Sequence, residues 1–355
     1  AFILVAAYAP ADTVKRPLIK KKKRIRFKIL SVIVVISYLF TTITFTFASG
    51  LRSIGNTRLP MLGSFIGLIV NGVLNAILIF GLFGAPKMGI KGAALATLIA
   101  RIVEFIIVVG AVYLKVDVLK LSFKDMLELS KSLSETLNKV TLPIFLNESC
   151  WAFGNITYTA IYASIGTSAA ASIQICSTVM NLFMIVAFGL ANAAVVIIGN
   201  EIGANREDEA ISASKKISSL SIKISMVLAI LLALLAKPIV SFFNVSVEVK
   251  IASEYILYVY AFILVFKIYN AVMIVGILRG GGDTTYGSIL QGLTLWLIGI
   301  PLAAFATFVL KLPVYFVVMF ATVEEIIKLL LMMRRFKSFK WIKNMVNDEQ
   351  NEVLA

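Results

Sequence analysis

Histidine is absent from the 355 residues of this chain. That removes the commonest general base, most catalytic zinc sites and any H-E-x-x-H motif. Cysteine is nearly absent too. Cys150 and Cys176 are the only two, and both lie in apolar runs, where they read as buried thiols rather than a disulfide or metal pair. Charge is thin, 15% of residues, and lopsided, with 34 Lys and Arg against 19 Asp and Glu. A soluble chain with a net charge of +15 would suggest nucleic acid. Here the bases collect at the ends of apolar segments, as membrane orientation requires, so no nucleic-acid partner is expected. No nucleophile–base pair or metal cluster stands out, and G-x-x-x-x-G-K-[S/T] is missing, so Gly280–Gly282 is not a phosphate loop. The chain does not read as an enzyme, and no cofactor is expected.

Apolar surface is what the chain has in excess. It is 59% hydrophobic with a mean hydropathy of +0.94, more than a soluble domain can hide. Many uncharged runs reach the ~20 residues that cross a bilayer as a helix. They lack the strict alternation of barrel strands, so the fold class is all-α and polytopic, in the cell membrane. The expected spans are 29–50, 60–83, 92–114, 142–165, 169–196, 217–243, 252–277, 286–310 and 312–333. Between the third and fourth, residues 115–141 are charged yet carry Met126, Leu129, Leu133, Leu137 and Val140 at helical steps. That pattern is an amphipathic helix on the membrane surface, dividing the chain into two lobes.

Lys and Arg set the orientation. The 115–141 linker, the loop with Arg206, Lys215 and Lys216, and the tail with Arg334, Arg335, Lys337, Lys340 and Lys343 fall on one side, which is then cytoplasmic. Residues 15–28 disagree. They carry Lys15, Arg16, Lys20, Lys21, Lys22, Lys23, Arg24, Arg26 and Lys28 on the outer side, where a basic juxtamembrane run would normally read as cytoplasmic. The expectation is that residues 10–28 arise from a reading-frame slip in an A-rich gene. The apolar stretch 1–9 is too short to span and looks like the end of a longer segment.

Leu51-Arg52-Ser53-Ile54-Gly55-Asn56-Thr57 recurs 227 positions later as Leu278-Arg279-Gly280-Gly281-Gly282-Asp283-Thr284. Each copy lies between two apolar spans, the mark of an internal duplication. Such duplication is common in secondary transporters, whose two halves rock about a central site. Further motifs follow: Asn71, Leu74-Asn75 and Leu78-Ile79-Phe80-Gly81; the run from Pro86-Lys87-Met88-Gly89 to Ala96-Thr97; Leu142-Pro143 with Asn147-Glu148 and Trp151; Gly199-Asn200-Glu201-Ile202-Gly203-Ala204; Trp296 with Gly299-Ile300-Pro301; and Glu324-Glu325 with Trp341. Together, over residues 29–343, they resemble the multidrug and toxic compound extrusion (MATE) family.

The resemblance implies two pseudo-symmetric six-helix lobes, of which this chain looks like helices four to twelve, with residues 1–9 a remnant of the third. The expected division is an atypical basic segment (1–28), a partial N-lobe of three spans (29–114), the cytoplasmic linker (115–141), a C-lobe of six spans (142–333) and a cytoplasmic tail (334–355). The implied function is H⁺ or Na⁺ antiport of amphipathic cationic drugs by a monomer in the lipid bilayer. The alternatives are a lipid-linked oligosaccharide flippase of the same superfamily, whose cavity would be cationic, or a non-functional truncated remnant.

Ionisable residues inside spans are costly, at about 2.5–3.5 kcal/mol on insertion scales, and normally face a cavity or a partner. Glu148 and Lys267 meet that description. Glu148 is expected to bind the coupling cation, as the resemblance also implies, or to form a structural ion pair with Lys267. Some relatives carry a second acid in the seventh span, which is absent here; that favours H⁺, or Na⁺ completed by Asn147, Asn181 or Asn270. Glu104 with Arg101, and Glu325 with Lys328, have the spacing of local ion pairs. Arg52 and Arg279 read as cytoplasmic anchors. Pro143, Pro238 and Pro301 can break or kink their helices. Trp151, Phe153, Tyr158, Tyr162, Phe183, Met184, Tyr269 and Met273 could line a path for flat cations, or pack against lipid and neighbouring helices.

Overall fold

The computed structural model describes residues 17–120 and 131–343. The expectations for residues 1–16, for Lys124, Met126 and Leu129, and for the tail beyond residue 343 fall outside the described residues. Without water to bond its peptide groups, a chain this apolar must satisfy them within each segment, and it does so by helix formation. Among the described residues there are nine long helices and no strand, only the single bridge Gly282–Ile342.

The chain forms two compact units that divide between residues 129 and 130. The first holds α1 (Pro17–Ser53), α2 (Arg58–Phe80) and α3 (Ile90–Lys115). The second holds α4 (Lys131–Ile165), α5 (Thr167–Gly203), α6 (Glu207–Ser241), α7 (Val247–Leu278), α8 (Thr284–Val309) and α9 (Val314–Lys337). Seven of these, all but α4 and α9, are long and apolar enough to cross a membrane. The other two have the length, and they carry the polar groups. The protein is a multi-pass, all-α membrane protein.

Both units bring helices close by omitting side chains, the usual solution where apolar surface alone gives no drive toward a neighbour. In the first, Gly63 and Gly67 face α3 one turn apart. A Cβ at Gly63 would lie 2.5 Å from Val108 Cγ2, and one at Gly67 would lie 3.3 Å from Glu104 Cβ. In the second, Gly276 and Gly280 repeat the spacing on α7 against α5. Their Cβ atoms would lie 2.8 Å from Ala194 Cβ and 3.1 Å from Val195 Cα. Ala187, Ala191 and Ala194 supply the small-residue stripe that α5 buries.

The three prolines behave differently from a simple break. Pro143 and Pro238 lie inside continuous helices. Pro301 lies between two wide π-helical turns of α8, Leu295–Gly299 and Phe305–Val309. A wide turn absorbs the hydrogen bond that proline cannot donate. α7 widens in the same way over Val272–Leu278.

The sequence repeat is a repeat of backbone geometry. Asn56 N donates to Leu51 O at 2.8 Å, and Asp283 N donates to Leu278 O at 2.8 Å. Gly55 and Gly282 take matching left-handed φ values of 81° and 85°, a conformation that costs glycine nothing. Leu51 and Leu278 are both fully buried. Around this shared turn the second unit adds a clamp. Asp283 is 1% exposed and is held by Arg335 and Lys343, each at 2.7 Å. Lys343 N donates to Gly281 O at 2.8 Å. Trp341 is fully buried over Gly281, where any side chain would collide with its ring.

Two outcomes are expected. Gly63→Leu forces α2 from α3 and should lower stability by about 1–3 kcal/mol, read as a fall in thermal midpoint in detergent. Asp283→Asn leaves Arg335 without its counter-charge. It should cost about 3 kcal/mol, the low end for a broken buried ion pair because Lys343 can turn to water. Limited proteolysis after Lys337 would then speed up relative to the wild type.

Candidate functional site: a buried ionic cluster on α9

α9 buries Val314, Val317, Val318, Ala321, Glu324, Glu325, Lys328 and Met332. The three- and four-residue steps make one helix face, so its charged residues are carried into the core by the same periodicity that buries the valines. Glu324 and Glu325 are each 8% exposed and Lys328 is 5% exposed. Lys328 Nζ lies 3.4 Å from Glu325 and 4.0 Å from Glu324.

α7 completes the cluster. Asn270 Nδ2 donates to Glu325 Oε2 at 2.8 Å and to the Glu325 carbonyl at 2.9 Å. Lys267, one turn earlier on α7, is half-buried. Two carboxylates and one ammonium group, that of Lys328, therefore share one apolar interior. Three polar atoms of this region have no hydrogen-bond partner among the described residues: Glu324 Oε2, Asn270 Oδ1 and Tyr158 Oη. Two of them converge on Gly299. A side chain there would meet the Tyr158 hydroxyl and would come 2.9 Å from Glu324 Oε2. The wide turns of α7 and α8 begin just after Asn270 and end at Gly299.

The residues expected to form one cation site are divided. Glu148 pairs with Arg279 at 2.8 Å, not with Lys267. Lys267 lies twelve residues back along α7, about 18 Å of helix, so one acid cannot reach both bases. Glu148 has a 56% exposed side chain and Arg279 a 20% exposed one. Arg279 is thus an ion-pair partner as well as an anchor. Asn147 is buried, with both amide atoms lacking partners among the described residues. Asn181 is exposed. Lys267 and Asn270 join the α9 acids.

The expected lining divides too. Met184, Tyr269 and Met273 are core residues, and the Tyr269 hydroxyl accepts a bond from Ser218 at 3.2 Å. They are buried among apolar neighbours. Tyr162 is also buried and stacks on Tyr158 with centroids 6.0 Å apart. Phe183 is half-buried, while Trp151 and Phe153 are exposed. Cys176 is buried, Cys150 is only half-buried, and both are free thiols. In the first unit Glu104 pairs with Arg101 as expected and accepts a bond from Ser64 at 2.7 Å. Sequence reasoning passed over Glu324 and cast Tyr158 as a drug contact. The signal for the cluster was three charges within five positions of one span.

The MatE family model matches residues 143–305. A second model, AgrB (Accessory gene regulator B), matches residues 1–83. An uncharacterized transporter of Bacillus subtilis, YisQ, is 26% identical over 84% of this chain and 65% of its own length. A probable multidrug resistance protein NorM of Bacillus anthracis is 28% identical over 79% of this chain and 62% of its own. The chain therefore spans somewhat under two thirds of the length of these relatives. Among solved structures, a MATE transporter of Vibrio cholerae aligns with a TM-score of 0.74 at 20% identity, covering 86% of this chain and 68% of that one. A MOP superfamily transporter of Pyrococcus furiosus gives 0.76 at 19% identity, with 88% and 70% covered. Motifs, helix pattern and these similarities agree: the chain is similar to membrane transporters of the MATE family over most of its described length, and residues 143–305 match that family's model.

Proposed function

We propose that the protein is a secondary active multidrug exporter. A cation, H⁺ or Na⁺, moves in as an amphipathic cationic compound moves out, by alternating access of two lobes in a monomer. The observation that carries this reading is the buried ionic cluster of α7 and α9. Charge is kept in a bilayer-embedded core at a cost of kilocalories, and such groups mark ion pathways. The relatives named as multidrug resistance proteins support the choice of cargo.

Glu148 is the acid proposed to couple the two movements. Its pairing with Arg279 gives it a defined partner. A cation that takes the carboxylate frees the arginine, and that exchange supplies the differential binding a coupled transporter needs. Asn147, one residue earlier, offers an amide with unused bonding capacity, and Asn181 on α5 is the third candidate. Trp151, Phe153 and Phe183 remain the residues proposed to meet a flat cationic compound by stacking and cation–π contact. The flippase alternative needs an uncompensated cationic cavity. Lys267 is its one mid-span candidate, on the same helix as the Asn270 that holds Glu325.

Reconstituted into liposomes, the protein is expected to move ethidium under an imposed pH or Na⁺ gradient. Glu148→Gln should reduce that movement to the level of empty liposomes while leaving the helical circular dichroism and thermal midpoint unchanged. Wild-type rates in the folded variant would remove Glu148 from the mechanism. No movement of ethidium by the wild type under either gradient would remove the exporter reading.

A further inference from the structure

We propose that the α9 cluster is a proton site, with Glu324 as the acceptor, and that Lys328 stands where a metal ion would otherwise be held. The inference rests on the exporter reading for its purpose, but its geometry stands apart from Glu148.

The oxygens present would suit a hard cation: two carboxylates, the Asn270 amide oxygen and a tyrosine hydroxyl. The space between the two carboxylates is already filled. The Lys328 ammonium lies 3.4 Å from Glu325 and 4.0 Å from Glu324, and it is tethered by its own helix. A sodium ion entering the same space would meet an ammonium it cannot displace into water. Glu325 is also committed, to Lys328 and to the Asn270 amide.

Glu324 differs. Its Oε2 is buried with no partner among the described residues, and the Tyr158 hydroxyl is in the same condition. Both atoms converge on the space that Gly299 leaves by having no side chain. A proton needs no coordination shell, so this arrangement suffices for it. In the ionised state, the tyrosine O–H can donate to the carboxylate. Once a proton adds to Oε2, the carboxyl O–H can donate and the tyrosine oxygen accepts. The two atoms are not bonded to each other in this structure; a small shift of either side chain would let the hydroxyl serve both states. The groups that face Glu324 are Glu325 and Lys328 from its own helix, Lys267 from α7, and Tyr158 and Tyr162 from α4. α8 contributes Gly299. Protonated, the cluster gains one positive charge, the imbalance a transporter can convert into movement.

The test uses purified protein in nanodiscs and needs no transport. Infrared difference spectra recorded across a pH titration should show a protonated-carboxyl band that is lost in Glu324→Gln and kept in the exposed control Glu207→Gln. The wild-type thermal midpoint should be the same in Na⁺ as in choline at equal ionic strength, and Lys328→Gln should acquire a Na⁺-dependent rise. If Lys328→Gln does not fold, Tyr158→Phe serves: the band should persist but titrate at a different pH. A titrating band that survives Glu324→Gln would overturn the assignment. So would a Na⁺-induced rise in the wild-type midpoint that Glu324→Gln abolishes, because it would make the cluster a metal site. A Glu324-dependent band in a protein that moves no ethidium would keep the proton site and sink the exporter reading alone.

Discussion

In a hydrocarbon environment a charged side chain has no water to fall back on, and much of the second unit depends on how three such side chains of α9 are satisfied. Glu324, Glu325 and Lys328 cannot face lipid without a large penalty. They face α7, where Asn270 and Lys267 meet them, and Tyr158 and Gly299 close the other side. This requirement fixes the rotation of α9 about its own axis. Val317, Val318 and Ala321 are then buried on the same face as the charges. The wide turn of α7 starts two residues after Asn270, and the first wide turn of α8 ends at Gly299, so both adjoin the cluster.

Close approach is the second requirement. Packing in lipid gains little from burying apolar area and relies on contact between backbones and small side chains. The pairs Gly63 with Gly67 and Gly276 with Gly280 provide it in the two units, and alanine provides the opposing surface on α5. The C-terminal clamp obeys the same logic at the helix ends. Gly281 has no side chain so that Trp341 can cover it, and Asp283 gathers two cations over that turn.

Much of the architecture was legible from the residues. Apolar runs of bilayer length marked the helices, and the L-R-x-x-G-[N/D]-T repeat marked a duplicated turn whose hydrogen bonds and glycine φ values match in both copies. The local pairs Arg101 with Glu104 and Glu325 with Lys328 were legible because three residues along a helix is a spatial neighbour. The partner of Glu148 was not. Arg279 and Lys267 both lie on α7, and nothing in the chain order says which turn of α7 stands beside α4. The aromatic and methionine residues were ambiguous for a similar reason. Spacing places Tyr269 and Met273 on one face of α7, but whether that face meets a path or the core depends on its neighbours.

The sequence alone determined what is local: which segments are helical, where the repeated motif falls, and that charge is held inside a membrane span. Each follows from hydropathy, backbone conformation or helix period, which act over a few residues. Only the tertiary structure decided the long-range pairings: Glu148 with Arg279, Asn270 with Glu325, Asp283 with Arg335 and Lys343, and the meeting of Tyr158 with Glu324 over Gly299. Those depend on the rotation and register of whole helices. That is set by the summed packing of many small contacts and by the need to satisfy every buried charge at once.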